Sequence, residues 1–522
     1  MKLISKGTLF FSKKLFIFPL VLFGLSAIAS GSSIAAKETN GNFSQMPNTP
    51  TRLENGVEIE AKEPMELSNI SQGITAPNPV GKNYLVPPGG KRPSPGIAIG
   101  HKQDVREHIE LGNFSEAITQ LERDWEKNYE NYFDRNLSEV TTLGDEIGDA
   151  LALMGRKTGK NPALIYMIPQ SDRLEVVLVT PDGEFMHHSV PDANRAALVD
   201  LIAELRGEIT NPIKRNSTSY LSAAQGLYNW AIAPLESKLK EQNIATLIFC
   251  VGGGLRSLPF AALHDGDKFL VENYSIGLIP AFNMIDVETN PLTSSDVLAM
   301  GASIFQELNP LPAVPVELNT IANQLFNGEI FLNRAFTLDN LRSQLQQGQY
   351  AIVHLATHAD FLPGKPHNSY IQFWDEKLFL DAMNQIRFED SSVGLLVLSA
   401  CNTALGNVEA EMGFAGLAIH SGVPSALASL WYVSDAGTLA LMSEFYATLR
   451  TSVESDRSII KAEALRQAQL ALIQGKVRLK EGELLTERGE EVPLPPELHE
   501  AESDNLSHPY YWAGFTMIGV PW

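Results

Sequence analysis

Cysteine is almost missing from this chain: Cys250 and Cys401 are the only two in 522 residues. That scarcity excludes a disulfide framework, and a single bridge would consume both thiols. Basic charge is the second shortage, with 40 Lys and Arg against 61 Asp and Glu, a formal net charge of −21. A surface of that sign repels phosphate backbones and anionic lipid, so nucleic acid is not an expected partner. Long apolar runs are scarce too. One, over residues 15–29, follows a start bearing Lys2, Lys6, Lys13 and Lys14 and precedes small residues at Ala29, Ala35 and Ala36. It reads as a secretory signal within residues 1–36, cleaved after one of those alanines. The rival reading is an uncleaved anchor over 15–36, the one route to a membrane. Pro19 and the small polar residues of its second half favour cleavage. Export, to the periplasm or beyond the cell, is the expectation.

What is present falls into blocks. Residues 37–100 are polar and rich in Pro, Gly, Ser and Asn, a linker with too little apolar area to order itself. Residues 101–210 begin with helical spacing and contain at most one helical-hairpin unit of repeat type, around 110–122. Two β-rich runs follow, at 163–169 and 174–185, the second closed by Pro-Asp-Gly, and they read as a hairpin and its continuation. Helices are expected near 193–206 and 220–240. From residue 244 on, strand-like runs at 244–251, 274–279, 297–300, 329–332, 352–356, 394–398 and 424–430 alternate with helical patterns. Such alternation predicts an α/β fold with a mostly parallel sheet covered on both faces. The acidic, Pro-bearing stretch 481–504 reads as a long solvated loop.

Two of these runs end on chemistry. Residues 350–360 lead through apolar strand formers to His358, and 394–403 lead to Cys401. Neighbouring parallel strands deliver their C-terminal tips to one edge, and a thiol and an imidazole meeting there are the minimal machinery of a cysteine hydrolase. Cys401 is the expected nucleophile at a strand-to-turn junction; Cys250, inside a strand-like run, reads as a buried small hydrophobe. His354 and His358 do not form a metal pair, because four residues of strand separate them by about 13 Å. Gly252-Gly-Gly-Leu-Arg-Ser lacks the Lys-Ser/Thr of a phosphate-binding loop, and no dinucleotide fingerprint occurs. No metal or cofactor is expected. Ser434 or Asp435 is placed to cap a helix.

Together these residues resemble the CHAT family, caspase-like domains of the separase, gingipain and caspase clan. Gly253-Gly-Leu-Arg-Ser-Leu-Pro-Phe-Ala-Ala-Leu-His-Asp-Gly resembles the family's entry block, 353–360 its histidine strand and 396–406 its Leu-Ser-Ala-Cys-x-Thr block. The stretch from Gly413 to Trp431 and the closing His508-Pro-Tyr-Tyr-Trp-Ala-Gly-Phe resemble its C-terminal helix and last strand. The upstream helices are similar to what precedes this domain in cyanobacterial members. The resemblance covers residues 215–522 and implies a caspase-like three-layer α/β/α sandwich. It also implies a cysteine peptidase with Cys401 as nucleophile, His358 as general base and acid, and backbone N–H groups of Ala359 and Cys401 for the oxyanion. Ala359 replaces the family's usual glycine; alanine keeps the N–H but tolerates fewer backbone geometries. Given the family, Asp435 could line a pocket for Arg or Lys of a protein or peptide substrate. The alternative expectation is a catalytically silent domain that binds a protein partner through its N-terminal helices.

Overall fold

Strand formers and helix formers alternate through most of this chain, and the computed structural model folds them into one wide sheet between helical layers. It describes residues 102–137, 142–288, 292, 296–454, 460–499 and 505–522. The expected signal segment and the linker lie outside the described residues. The strands in chain order are β1 (Asn161–Pro169), β2 (Leu174–Val179), β3 (Phe185–Val190), β4 (Ile244–Val251), β5 (Ser275–Ile279), β6 (Asp296–Gly301), β7 (Asn327–Leu332), β8 (Ile352–Phe361), β9 (Tyr370–Gln372), β10 (Lys377–Phe379), β11 (Leu395–Thr403), β12 (Ser425–Ser429), β13 (Arg478–Lys480), β14 (Glu483–Leu485), β15 (Glu491–Pro493) and β16 (Phe515–Gly519). The helices are α1 (Lys102–Glu110), α2 (Phe114–Phe133), α3 (Ile147–Thr158), α4 (Arg195–Thr210), α5 (Leu221–Ala231), α6 (Glu236–Glu241), α7 (Leu270–Asn273), α8 (Val314–Asn319), α9 (Leu338–Gln347), α10 (Val408–Ala415), α11 (Leu417–Ser421), α12 (Asp435–Glu454) and α13 (Lys461–Ile473).

The main sheet runs β10-β9-β8-β11-β12-β16-β5-β4-β1-β2-β3, and β6 joins it beside β8 with β7 outside. Strands β7, β6, β8, β11 and β12 are parallel, so their C-terminal ends share one edge. Strand β16 runs antiparallel to β12, and β5, β4 and β1 follow its direction. The N-terminal β1–β3 meander therefore extends the same sheet.

Helices cover both faces, which is why the central strands read as near-continuous apolar runs rather than alternating ones. His354 of β8 contacts α8 and α12 on one face. Phe361 of the same strand meets Phe414 of α10 edge-on on the other face. On that second face Phe133 of α2 stacks on His420 of α11 at 4.1 Å. Gly416 makes room for that stack, since a Cβ there would lie 2.6 Å from the Phe133 ring. The helical stretch after β11 accordingly breaks at Gly416 into α10 and α11.

Two expectations need correction. Residues 478–493 do not form a solvated loop but the antiparallel sheet β13-β14-β15. Leu479, Leu484 and Val492 are buried while their neighbours face out, a period-2 pattern hidden among many acids. The backbone of Glu487 is tied to the buried Glu444 of α12 at 3.0 Å. Second, β8 and β11 continue past the apolar runs, to Phe361 and Thr403. Polar residues enter the ladder there because neighbouring strands on both sides supply their backbone partners.

Candidate active site

Strands β8 and β11 carry the two residues of interest on neighbouring rungs: Ala400 pairs with His358, and Cys401 with Ala359. The ladder is irregular between Leu398 and Ala400. Successive side chains alternate faces, and paired residues share one. Asn402 donates to Asp360 at 3.4 Å, which fixes those two on one face. His358 shares it, since Tyr432 meets both the His358 ring and Asp360. Cys401 consequently lies on the opposite face, beside Ala359 and towards α10.

Each group is occupied where it stands. His358 Nε2 lies 2.8 Å from the Asn309 carbonyl. A carbonyl only accepts, so Nε2 carries the proton. Phe305 and Tyr432 meet the ring edge-on at 4.8 and 5.6 Å. Burial lowers the pKa of His358, opposed by the Asn309 carbonyl and the Asp360 charge. Cys401 is fully buried, and its Sγ lies 3.5 Å from the Leu398 carbonyl. Burial pushes this thiol up to about 12, against the opposing hydrogen bond with Ser429. Both groups are therefore neutral at pH 7, as thiol and imidazole.

The expected oxyanion donors are also engaged. The Cys401 N–H donates to Ser429 Oγ at 3.3 Å. Ala359 is buried and paired on both sides, with Cys401 and with Ile371 of β9. Its backbone is ordinary extended strand, so alanine fits where glycine was expected. Asp435, half-buried at the start of α12, accepts the backbone N–H of Ala313. It ties down the segment after β6 from which Phe305 and Asn309 reach His358.

His354 has both ring nitrogens bonded, to Tyr446 at 3.0 Å and Glu317 at 2.9 Å, and is fully buried. The carboxylate accepts from Nε2–H and the tyrosine donates to Nδ1. Glu317→Ala leaves a buried N–H without an acceptor, with an expected loss of about 1–3 kcal/mol in chemical denaturation. Cys250 is likewise buried, 3.8 Å from Glu122, a carboxylate that also accepts from Tyr166 at 2.7 Å. The Gly252-Gly-Gly turn packs on α10, where Glu411 accepts from Gly254 N at 2.7 Å and Ser257 Oγ at 2.8 Å.

Sequence reasoning did not find Asp360 as the hub of a polar cluster. Its carboxylate accepts from Tyr370 and Tyr432, each at 2.9 Å, and from Asn402. Nor did it find Asn309, Phe305 or Ser429. Asp360 lies in β8, Phe305 and Asn309 in the segment after β6 and Ser429 in β12, and no spacing links the three.

The human Tetratricopeptide repeat protein 28 (Homo sapiens) is 21% identical over 373 residues, covering 59% of this chain and 14% of that protein. Its mouse counterpart (Mus musculus) is 22% identical over 376 residues, 60% of this chain and again 14% of that protein. The chain thus spans a small part of the length of these curated relatives. Among solved structures, the Saccharomyces cerevisiae separase–securin complex aligns with a TM-score of 0.47 at 9% identity, over 79% of this chain and 34% of that one. The Arg-specific cysteine proteinase gingipain R aligns with a TM-score of 0.36 at 10% identity, over 62% and 74%. The family model described as "CHAT domain" matches residues 221–520, more than half of the sequence, and the chain belongs to that family.

Proposed function

We propose that this protein is an exported cysteine endopeptidase, with Cys401 as nucleophile and His358 as general base and acid, held here in a disengaged arrangement. The observation that carries the reading is the placement of an imidazole and a thiol on neighbouring rungs where two parallel strands end. In the engaged state His358 takes the Cys401 proton, and the thiolate attacks a peptide carbonyl. The tetrahedral oxyanion collapses to a thioester as the amine leaves with the proton from His358, and water then hydrolyses the thioester. That sequence requires Cys401 and His358 to reach one face, and the His358 ring to leave the Asn309 carbonyl. The backbone N–H groups of Ala359 and Cys401 serve the oxyanion once released. Asp435, freed from Ala313, selects Arg or Lys before the scissile bond.

A second reading, a catalytically silent domain that binds a protein partner through its N-terminal helices, is favoured by one observation. The thiol is buried and bonded to Leu398, not to the histidine.

One experiment separates the two. A lysine- or arginine-directed electrophilic peptide probe is applied to the full-length chain, to Cys401→Ala and to His358→Ala. Labelling at Cys401 that requires His358 is the expected result; a folded, reduced protein that never labels would overturn it in favour of the binding module. Arginine-directed cleavage that persists unchanged in Asp435→Ala would remove that residue from the pocket.

A further inference from the structure

The last regular Cα partners between β11 and β12 are Leu396 with Ala426 and Val397 with Leu427. Beyond them the two strand ends are held mainly by side chains. Ser429 Oγ accepts the Cys401 N–H and lies 3.1 Å from the carbonyls of both Cys401 and Trp431. Arg206 Nη2 donates to the Thr403 carbonyl at 3.1 Å and to the Leu430 carbonyl at 2.7 Å. One ladder-like bond remains, from Thr403 N to Leu430 O at 3.2 Å. Two buried carbonyls that face each other repel unless a donor sits between them, and a guanidinium does this with charge-assisted bonds. Arg206 is 6% exposed. Its guanidinium lies 5.8 Å from the Trp431 ring centroid, and Glu411 supplies the opposing charge. It belongs to α4, which precedes the family match at 221–520.

We infer that Arg206 is a positioning residue for the strand end that carries Cys401, clasping β11 to β12 and keeping the thiol on its buried face. Cys401 cannot approach His358 unless the end of β11 turns; the ladder to β8 over Ala400–Thr403 holds one side of that end, and on the β12 side the bonds resisting the turn come from Ser429, Arg206 and the Thr403 N–H. Helix α4 is then the part of the chain through which the region upstream of the family domain acts on the nucleophile. The functional meaning rests on the nucleophile reading above; the placement of the strand end does not.

The test is iodoacetamide alkylation of the full-length chain at pH 8, with Cys401 and Cys250 followed separately by mass spectrometry. Loss of a positive charge nearby lowers the thiolate fraction, so faster alkylation in Arg206→Met reports exposure and not activation. Breaking two charge-assisted bonds is expected to raise the Cys401 rate at least about tenfold while Cys250, in the sheet core, stays protected. Arg206→Lys keeps the charge but not the planar fork that bridges the two carbonyls, so its rate falls between those of the parent and Arg206→Met. Equal acceleration of both cysteines would make Arg206 a general element of the fold, and no acceleration would remove the clasp; either overturns the inference. Because alkylation needs no turnover, the result stands whether or not the chain hydrolyses peptides.

Discussion

Glu411→Ala lowers the unfolding free energy by about 3–5 kcal/mol, the cost of removing one partner from a buried charged cluster. Glu411 is fully buried on α10 and accepts from Gly254 N and Ser257 Oγ. Burial raises its pKa, and those two donors together with Arg256 and Arg206 oppose the rise. Both arginines are themselves buried, and desolvation lowers Arg206 to about 10, so it is still charged at pH 7. Alanine leaves two buried cations without that carboxylate and leaves the Gly254 N–H without an acceptor. Glu411→Gln keeps an acceptor and loses only the charge, so it falls between parent and alanine. Urea denaturation with coincident fluorescence and circular dichroism transitions measures the series. A loss below about 1 kcal/mol for the alanine variant would show that the cluster does not depend on this carboxylate.

Cys401 alkylates at pH 8 at least about a thousandfold more slowly than an unhindered thiol. With its pKa pushed up to about 12, about one molecule in ten thousand carries a thiolate at pH 8, against about a quarter for an ordinary cysteine. The sign is fixed by burial, which disfavours the anion, and no imidazolium is present to reverse it because burial also lowers His358. The rate climbs about tenfold per pH unit up to pH 10, with no plateau near neutrality. A plateau between pH 6 and 8 would mean that an ion pair with His358 already exists, and would overturn the disengaged arrangement. The same measurement supplies the baseline against which Arg206→Met is read.

Much of the fold was legible because burial writes itself into local composition. The run 244–251 became β4 with the same bounds, since a strand covered on both faces has to be apolar throughout. The two site strands were located correctly but drawn too short. Thr357, His358, Asp360, Asn402 and Thr403 are polar, and polarity at the end of an apolar run reads as a turn. Here it marks ladder positions: the side chains of Thr357, Asp360 and Asn402 find hydrogen-bond partners on neighbouring strands, and His358 finds one in the segment after β6. The acidic stretch concealed β13–β15 for a related reason: three buried side chains among exposed acids are too few to outweigh the charge pattern.

By itself the sequence determined the alternation of strand and helix, the two-sided covering of the sheet, the scarcity of thiols and the presence of Cys401 and His358 on separate strands. All of these are periodicities and compositions of contiguous residues, and a chain displays them before it folds. Only the tertiary structure decided that the two groups stand on opposite faces, that Asn309 and Phe305 occupy His358, and that Ser429 and Arg206 hold the end of β11. Those facts depend on ladder register and on which distant segment packs nearby. A one-residue slip reverses every side chain in a strand, and no local pattern in 395–403 records where β8, β12 and α4 place their partners.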